Sequence, residues 1–277
     1  MRNITATLSP MLAKHVGNDM IRRVAPYPID TYPELVQEVA DLAYLNKDFL
    51  LFYRGQDRDY LNKADTSTYY PTIYRKEVLT AQEARLRFDM LELAEHQLAD
   101  AFDSGELEGR QDVRRKSYIA WSLLQHYGVC DTPLLDLTQS LGAAATFAQY
   151  NNEEERGVIA VFGLPYPTNR ITYNSEHDLV IVRLLSVCPP MALRPNFQEG
   201  YLAGTMDITR DYADKSELDF NNRLIAKFSI PNDPSFWGKD FNPIPEQLLF
   251  PPDDSMAEIG NRVKTLVISE MKNIFVL

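Results

Sequence analysis

Two hydrophobic periods run along this chain, and they fall in different halves of it. Between Thr31 and Leu45, Leu35, Val39 and Leu42 recur at helical spacing, and Thr31 with Glu34 makes a capping box at the start. Phe49-Leu50-Leu51-Phe52-Tyr53 is short, apolar and aromatic, and predicts a buried strand with Arg54 at its exit, just before Gly55. Residues 56–78, rich in Tyr, Thr and Asp, read as a long loop. A long helix is expected from about Leu79 to Phe102, capped by Thr80 and Glu83, with Leu86, Met90, Leu93 and Ala101 on one face. A second spans roughly Asp112 to His126 and stops at Gly128. Pro133 to Leu137 reads as a short strand. Ser140 to Tyr150 reads as a helix whose Ala143, Ala144, Ala145 and Ala148 permit close approach to a sheet or another helix.

The period shortens in the second half. Gly157 to Phe162 and the Val- and Leu-rich Asp178 to Val187 read as strands. Leu224, Ala226, Phe228 and Ile230 alternate with Ile225, Lys227 and Ser229, the signature of a half-buried strand. Ser255 and Glu258 cap a last helix carrying Ile259, Val263 and Leu266. A helical first half followed by a mostly strand second half predicts an α+β fold, expected as a single domain over residues 1–277. No internal repeat or low-complexity segment interrupts it.

Composition narrows the function classes. Hydrophobic residues make up 45% of the chain and charged residues 24%, ordinary values for a globular protein. The net charge of −11 repels phosphate backbones, which argues against broad nucleic-acid binding but leaves room for a small basic site. Two cysteines, Cys130 and Cys188, make no disulfide framework and fit a reducing compartment. No apolar run approaches a membrane span, and residues 1–20 lack the apolar stretch of a signal peptide, so no membrane association and a cytoplasmic location are expected. Neither the cysteines nor His15, His96 and His177 have metal-ligand spacing, so no metal is expected, and no P-loop, GxGxxG, GxSxG or HExxH motif occurs. Arg114-Arg115-Lys116 reads as a solvated helix face and Asn151 to Arg156 as a solvated turn.

Three segments carry candidate chemistry. In Tyr53-Arg54-Gly55-Gln56, a guanidinium directly after an apolar strand can clamp a phosphate or carboxylate with two parallel hydrogen bonds, and Gly55 would let a ligand approach the backbone. The competing reading is a turn arginine paired to a surface acid. In Gln125-His126-Tyr127-Gly128, a histidine near a helix C-terminus is an acid, a base or an anion ligand, or else simply a cap on the last carbonyls. In Thr132-Pro133-Leu134-Leu135-Asp136-Leu137-Thr138, Asp136 and Thr138 share one strand face and would line a cleft. Alternatively Thr138 or Ser140 caps the alanine-rich helix. A hydrolase using His126 with Asp136 is a further reading, weakened by the absence of a nucleophile motif.

Taken in order and spacing, these segments resemble the FRG-domain family, named for its aromatic-Arg-Gly motif. Tyr53-Arg54-Gly55-Gln56 and Gln125-His126-Tyr127-Gly128 match it, as do Thr132, Leu134-Leu135-Asp136, Thr138, Ala144 and Phe147-Ala148. The resemblance covers roughly residues 30–205, with residues 206–277 expected to pack on that core. Pro133 stands where the family usually has arginine, and Ser140-Leu141-Gly142 replaces its usual Asn-Pro-hydrophobic stretch. Arg194, Gln198, Gly200 and Tyr201 look like the family's late segment. The family's layout is similar to ADP-ribosyltransferases of the Arg-Ser-Glu kind. That likeness implies NAD as substrate, with Arg54 holding its ribose or phosphate. It also implies that Thr138 supports the pocket, and that Gln198 and Glu199 stand at the catalytic segment beside His126. The alternative is a non-enzymatic module that senses a nucleotide or another phosphorylated ligand. Either way, Tyr53, Arg54, Gly55, Gln56, Asp136 and Thr138 are the expected ligand-binding residues, and Arg54, His126 and Asp136 are expected in one cleft.

Overall fold

The structure, a computed structural model, describes residues 1–76, 78–206 and 215–275. The first half contains α1 (Pro10–Val16), β1 (Tyr27–Pro28), α2 (Tyr32–Leu45), β2 (Leu50–Gln56), α3 (Ala81–Ser104), α4 (Arg110–Arg115) and α5 (Ser117–His126). The middle holds β3 (Leu135–Thr138), α6 (Leu141–Gln149), β4 (Arg156–Leu164), β5 (Ile171–Asn174), β6 (Leu179–Arg183), α7 (Leu184–Val187) and α8 (Arg194–Gln198). Then come β7 (Gly200–Gly204), β8 (Leu224–Pro231), α9 (Glu246–Leu249) and α10 (Ser255–Phe275). The strands form one eight-stranded sheet in the order β1-β8-β4-β2-β3-β7-β6-β5, antiparallel except where β1 runs parallel to β8. The fold is therefore α+β, as the patterning predicts.

Local signals fix the helix starts. The capping boxes of Thr31 with Glu34 and Thr80 with Glu83 both form and open α2 and α3. Asp254, not Ser255, caps α10, accepting from the Met256 amide. The helix expected over 112–126 breaks at Lys116, whose backbone is extended. Val113 and Ile119 are both buried, and six residues apart they would point about 120° apart around one straight helix. The break lets both reach the core. The basic residues at that break are solvated, with Arg114 pairing with Asp103 and Lys116 with Asp112.

Each sheet face is covered. On one face lie two helical clusters. Leu51, Tyr53, Val161 and Phe228 pack under α2 and α6, and Val180, Val182 and Leu202 pack under α3, α5 and α10. On the other, Phe52, Leu137, Phe162, Ile181 and Tyr201 pack with Tyr69 and Phe220 from connecting segments. Burial on both faces overturns the half-buried reading of β8. Lys227 is 1% exposed, and its ammonium donates to the Asp59 carboxylate at 2.6 Å and to the Val24 carbonyl. That buried ion pair pins the segment after β2 to β8. Asp178 to Val187 is likewise not one strand, since the chain turns into α7 at Leu184.

The alanine-rich helix α6 presses on β2 and β4 as the composition suggests. A Cβ at Gly55 would lie 1.8 Å from the Ala144 carbonyl oxygen, and one at Gly157 would lie 2.2 Å from that of Ala148. The absent side chain of Gly55 thus admits the helix, while Gly55 also lines the clefts of the candidate site. Gly55→Ala should destabilise the protein by at least about 1–3 kcal/mol, and Ala144→Leu by a similar amount, because neither backbone can retreat from the other. Gly142→Ala, whose nearest neighbour would be the Tyr32 hydroxyl at 3.4 Å, should leave stability unchanged or slightly raised. Urea denaturation midpoints of the three variants check this; a Gly55→Ala midpoint equal to wild type would show that α6 can move.

Candidate functional site

The site arises where the sheet splits. Strand β2 pairs with β4 along its whole length, from Leu50 with Leu164 to Gln56 with Val158, but with β3 only at Tyr53 opposite Thr138. Arg54 is therefore inside the strand, opposite Ala160, and not at its exit; β4 continues the pairing that the sequence cannot show. Beyond Tyr53 the two strands part. By alternation Arg54 belongs to the face of Phe52, while Asp136 and Thr138 belong to the face between the two helical clusters. The parting lets the Arg54 guanidinium reach across and donate to the Asp136 carbonyl at 2.8 Å.

Two clefts open on either side of this bridge. The smaller, about 250 Å³, is lined by Tyr53, Arg54, Gly55, His126, Asp136 and Thr138, with Gln198, Gly200 and Phe250 closing it. Arg54, His126 and Asp136 thus share one cleft, as their ordered motifs lead one to expect. The larger, about 1130 Å³, has Arg54, Gly55 and Phe147 in common with the first. Its described walls carry Arg54, Lys63, Arg75, Lys76 and Lys215 against one carboxylate, Asp57. Tyr60, Tyr69, Tyr70 and Tyr150 add aromatic surface, and Gln56 lines this cleft only. A basic, aromatic chamber thus stands out on a protein of net charge −11.

Hydrogen bonds decide which candidate is committed to structure and which is left for a ligand. The Asp136 carboxylate accepts from the Gln125 amide at 2.7 Å and from His126 Nδ1 at 3.3 Å. Gln125 is itself fixed by the hydroxyls of Thr132 at 2.6 Å and Thr72 at 3.0 Å. Burial pushes the Asp136 carboxyl up, but bonds from His126 and Gln125 and the positive charge of Arg54 outweigh it and hold it below its usual range. Burial and the nearby Arg75 lower Arg54 to about 10, which leaves it charged at neutral pH. Arg54 has no ion pair among the described residues and, besides Asp136, no described hydrogen-bond partner. Four of the donors in its fork are thus available to a ligand. His126, with its side chain 5% exposed, has an Nε2 that is buried and unpartnered.

Other candidates serve the framework. The Thr138 hydroxyl donates to the Gln198 carbonyl at 2.7 Å and accepts from the Ser140 amide, tying β3 to the end of α8. Ser140 is the cap of α6. Gln198 is buried with its amide on the Leu249 carbonyl. Glu199 has an exposed side chain and a left-handed backbone, φ 45°, and it is its carbonyl that faces Thr138 and Gln139. Its carboxylate is therefore not among the groups lining the small cleft, although both of its neighbours are. Tyr127, of the same motif as His126, is structural: its hydroxyl donates to buried Asp254, which also accepts from the Leu193 and Arg194 amides. Arg194 lies over the Tyr127 and Phe250 rings. Burial pushes both Cys130 and Cys188 up to about 12, which makes them unreactive thiols. Among the described residues no His, Cys, Asp and Glu cluster could hold a metal, and no helix is long and apolar enough to cross a membrane.

Sequence reasoning missed Gln125, Arg75, Phe250 and the cleft tyrosines as site residues. Gln125 had a signal, since it precedes His126 in a motif already singled out. Tyr60, Tyr69 and Tyr70 had only the composition of residues 56–78, and Tyr150 had no signal.

A split sheet with a strand-borne arginine, a helix-end His on an Asp, and an alanine helix pressed on the arginine strand defines an α+β domain with a polar cleft at the split. The FRG domain family matches residues 50–157, so this chain carries an FRG domain. The matched span holds Arg54, His126, Asp136 and Thr138 but ends before Gln198 and Glu199. No curated protein and no solved structure matches the chain.

Asp136 gives a pH-dependent test. Its lowered carboxyl adds stability that is fully present above the ordinary value of 3.8 and is lost as pH falls below that through the lowered value. Wild type should therefore be more stable than Asp136→Asn at neutral pH, and the gap should close as pH drops below about 4. Denaturation curves of both proteins at stepped pH measure it; a gap that is constant with pH would mean that the carboxylate charge contributes nothing.

Proposed function

We propose that this FRG-domain protein binds a nucleotide at the split in the sheet, with phosphate on Arg54 and the base among the tyrosines of the larger cleft. One observation carries the reading: a charged guanidinium lines both clefts, and its single described hydrogen bond, to the Asp136 carbonyl, leaves most of its fork unused. The neighbouring Arg75 adds positive charge, and aromatic side chains offer faces for stacking. NAD, a dinucleotide with two phosphates, is the ligand of choice for the first titration. Arg54→Lys keeps the charge but loses the planar fork, so it should weaken NAD binding about tenfold or more in calorimetry. Equal affinity in the two proteins would refute the clamp.

A second reading, ADP-ribosyl transfer, is favoured by the position of Glu199 between Gln198 and Gly200, which both line the small cleft. A carboxylate at that rim, turned inward when ligand binds, would stabilise the oxocarbenium-like centre formed as nicotinamide leaves. Glu199→Gln should then cut nicotinamide release about a hundred- to a thousandfold while NAD affinity changes little, since the lost interaction belongs to the transition state. Binding without any nicotinamide release by the wild type leaves a ligand-sensing module as the function.

A further inference from the structure

We propose that the smaller cleft receives a hydroxyl-bearing sugar and that His126 is the residue that reads its hydroxyl. This rests on the nucleotide reading above and specifies which part of the nucleotide enters the smaller chamber.

The argument follows the protons. An ionised carboxylate only accepts hydrogen bonds, so the contact of Asp136 with His126 Nδ1 requires the proton on Nδ1. In the neutral ring, Nε2 is then a bare acceptor. It is buried, and no group of the protein donates to it. A buried polar atom without a partner is costly and calls for an explanation, and a ligand donor supplies one. Gly200 forms the facing wall, and a Cβ there would lie 3.4 Å from His126 Cε1 and 2.7 Å from a Leu184 methyl. Asp136, itself held by the Gln125 amide, holds the imidazole at Nδ1, so the direction of the ring is set before ligand arrives.

Polar complementarity then selects the ligand group. Within one cleft, His126 wants a donor and Arg54 wants an acceptor. A phosphate offers acceptors only, and an amino group offers donors only. A hydroxyl does both, donating to Nε2 while accepting from an N–H. The cleft, about 250 Å³, suits one sugar ring and not a whole dinucleotide, and it communicates at Arg54 with the larger chamber that would hold the remainder. A phosphorylated sugar therefore fits with its hydroxyls at His126 and its phosphate at Arg54.

The test compares two ligands of the same charge and ring: ribose 5-phosphate and tetrahydrofurfuryl phosphate, which has the ring and phosphate without ring hydroxyls. Each is titrated calorimetrically and in competition with NAD. Wild type should prefer ribose 5-phosphate by roughly tenfold to a hundredfold. His126→Phe, a ring of similar size with no acceptor, should abolish the preference, while Arg54→Ala should weaken both ligands together. Equal affinities for wild type, or a preference that survives in His126→Phe, would overturn the proposal. If NAD binds but neither sugar phosphate competes, the proposal fails and the nucleotide reading stands; if NAD does not bind either, both fail. Because the wild-type comparison needs no variant, it decides the matter even if His126→Phe does not fold, and His126→Gln, which keeps an acceptor, should retain part of the preference.

Discussion

One hydrogen bond spans the opening on which the site depends, that of Arg54 to the Asp136 carbonyl at 2.8 Å. Strands β2 and β3 pair at a single position and then separate, and a gap in the middle of a sheet leaves backbone groups unpaired unless something else reaches them. A guanidinium is suited to that task, since one of its donors can replace a missing ladder bond while the others remain directed outward. The same residue therefore spans the split and keeps a charge at both clefts. Lysine, with a flexible stem and a point charge, could not do both.

The opening persists because its surroundings are rigid. On one side α6 lies so close to β2 that no Cβ fits at Gly55, which fixes the strand carrying Arg54. On the other, Gln125 is held by two threonine hydroxyls and in turn holds Asp136, which orients His126. The buried pair of Lys227 and Asp59 fixes the tyrosine-bearing segment above the large cleft. These contacts come from distant parts of the chain and converge on a polar stripe between two apolar clusters of the helical face. A cleft so framed presents a ligand with groups already in place, and little ordering is left to oppose binding.

The distribution of polar partners separates framework from function within the motifs. Tyr127 and Thr138 stand in the same motifs as His126 and Asp136, yet both use their hydroxyls within the protein, on Asp254 and on the Gln198 carbonyl. Arg54 and His126 retain unsatisfied capacity at the clefts. Motif membership marks the residues that build the site; hydrogen-bond accounting picks those with capacity left for a ligand.

The sequence by itself determined the local elements. Capping boxes at Thr31 and Thr80, the alternation in β8 and the alanine spacing in α6 are short-range signals, and each specifies an element within a few residues. The ordered motifs also marked Arg54, His126 and Asp136 as neighbours. Tertiary structure decided the rest, because strand pairing and burial on a second face are set by residues far away. It placed Arg54 inside a strand through pairing with β4 and made Gly55 the seat of a helix. It buried Lys227 beneath a segment some 168 positions distant, and it left the Glu199 carboxylate exposed while its carbonyl joined the framework. Periodicity reports which face of an element is apolar; it carries no information about what covers the other face, and the candidate site of this protein lies where two such coverings meet and leave a gap.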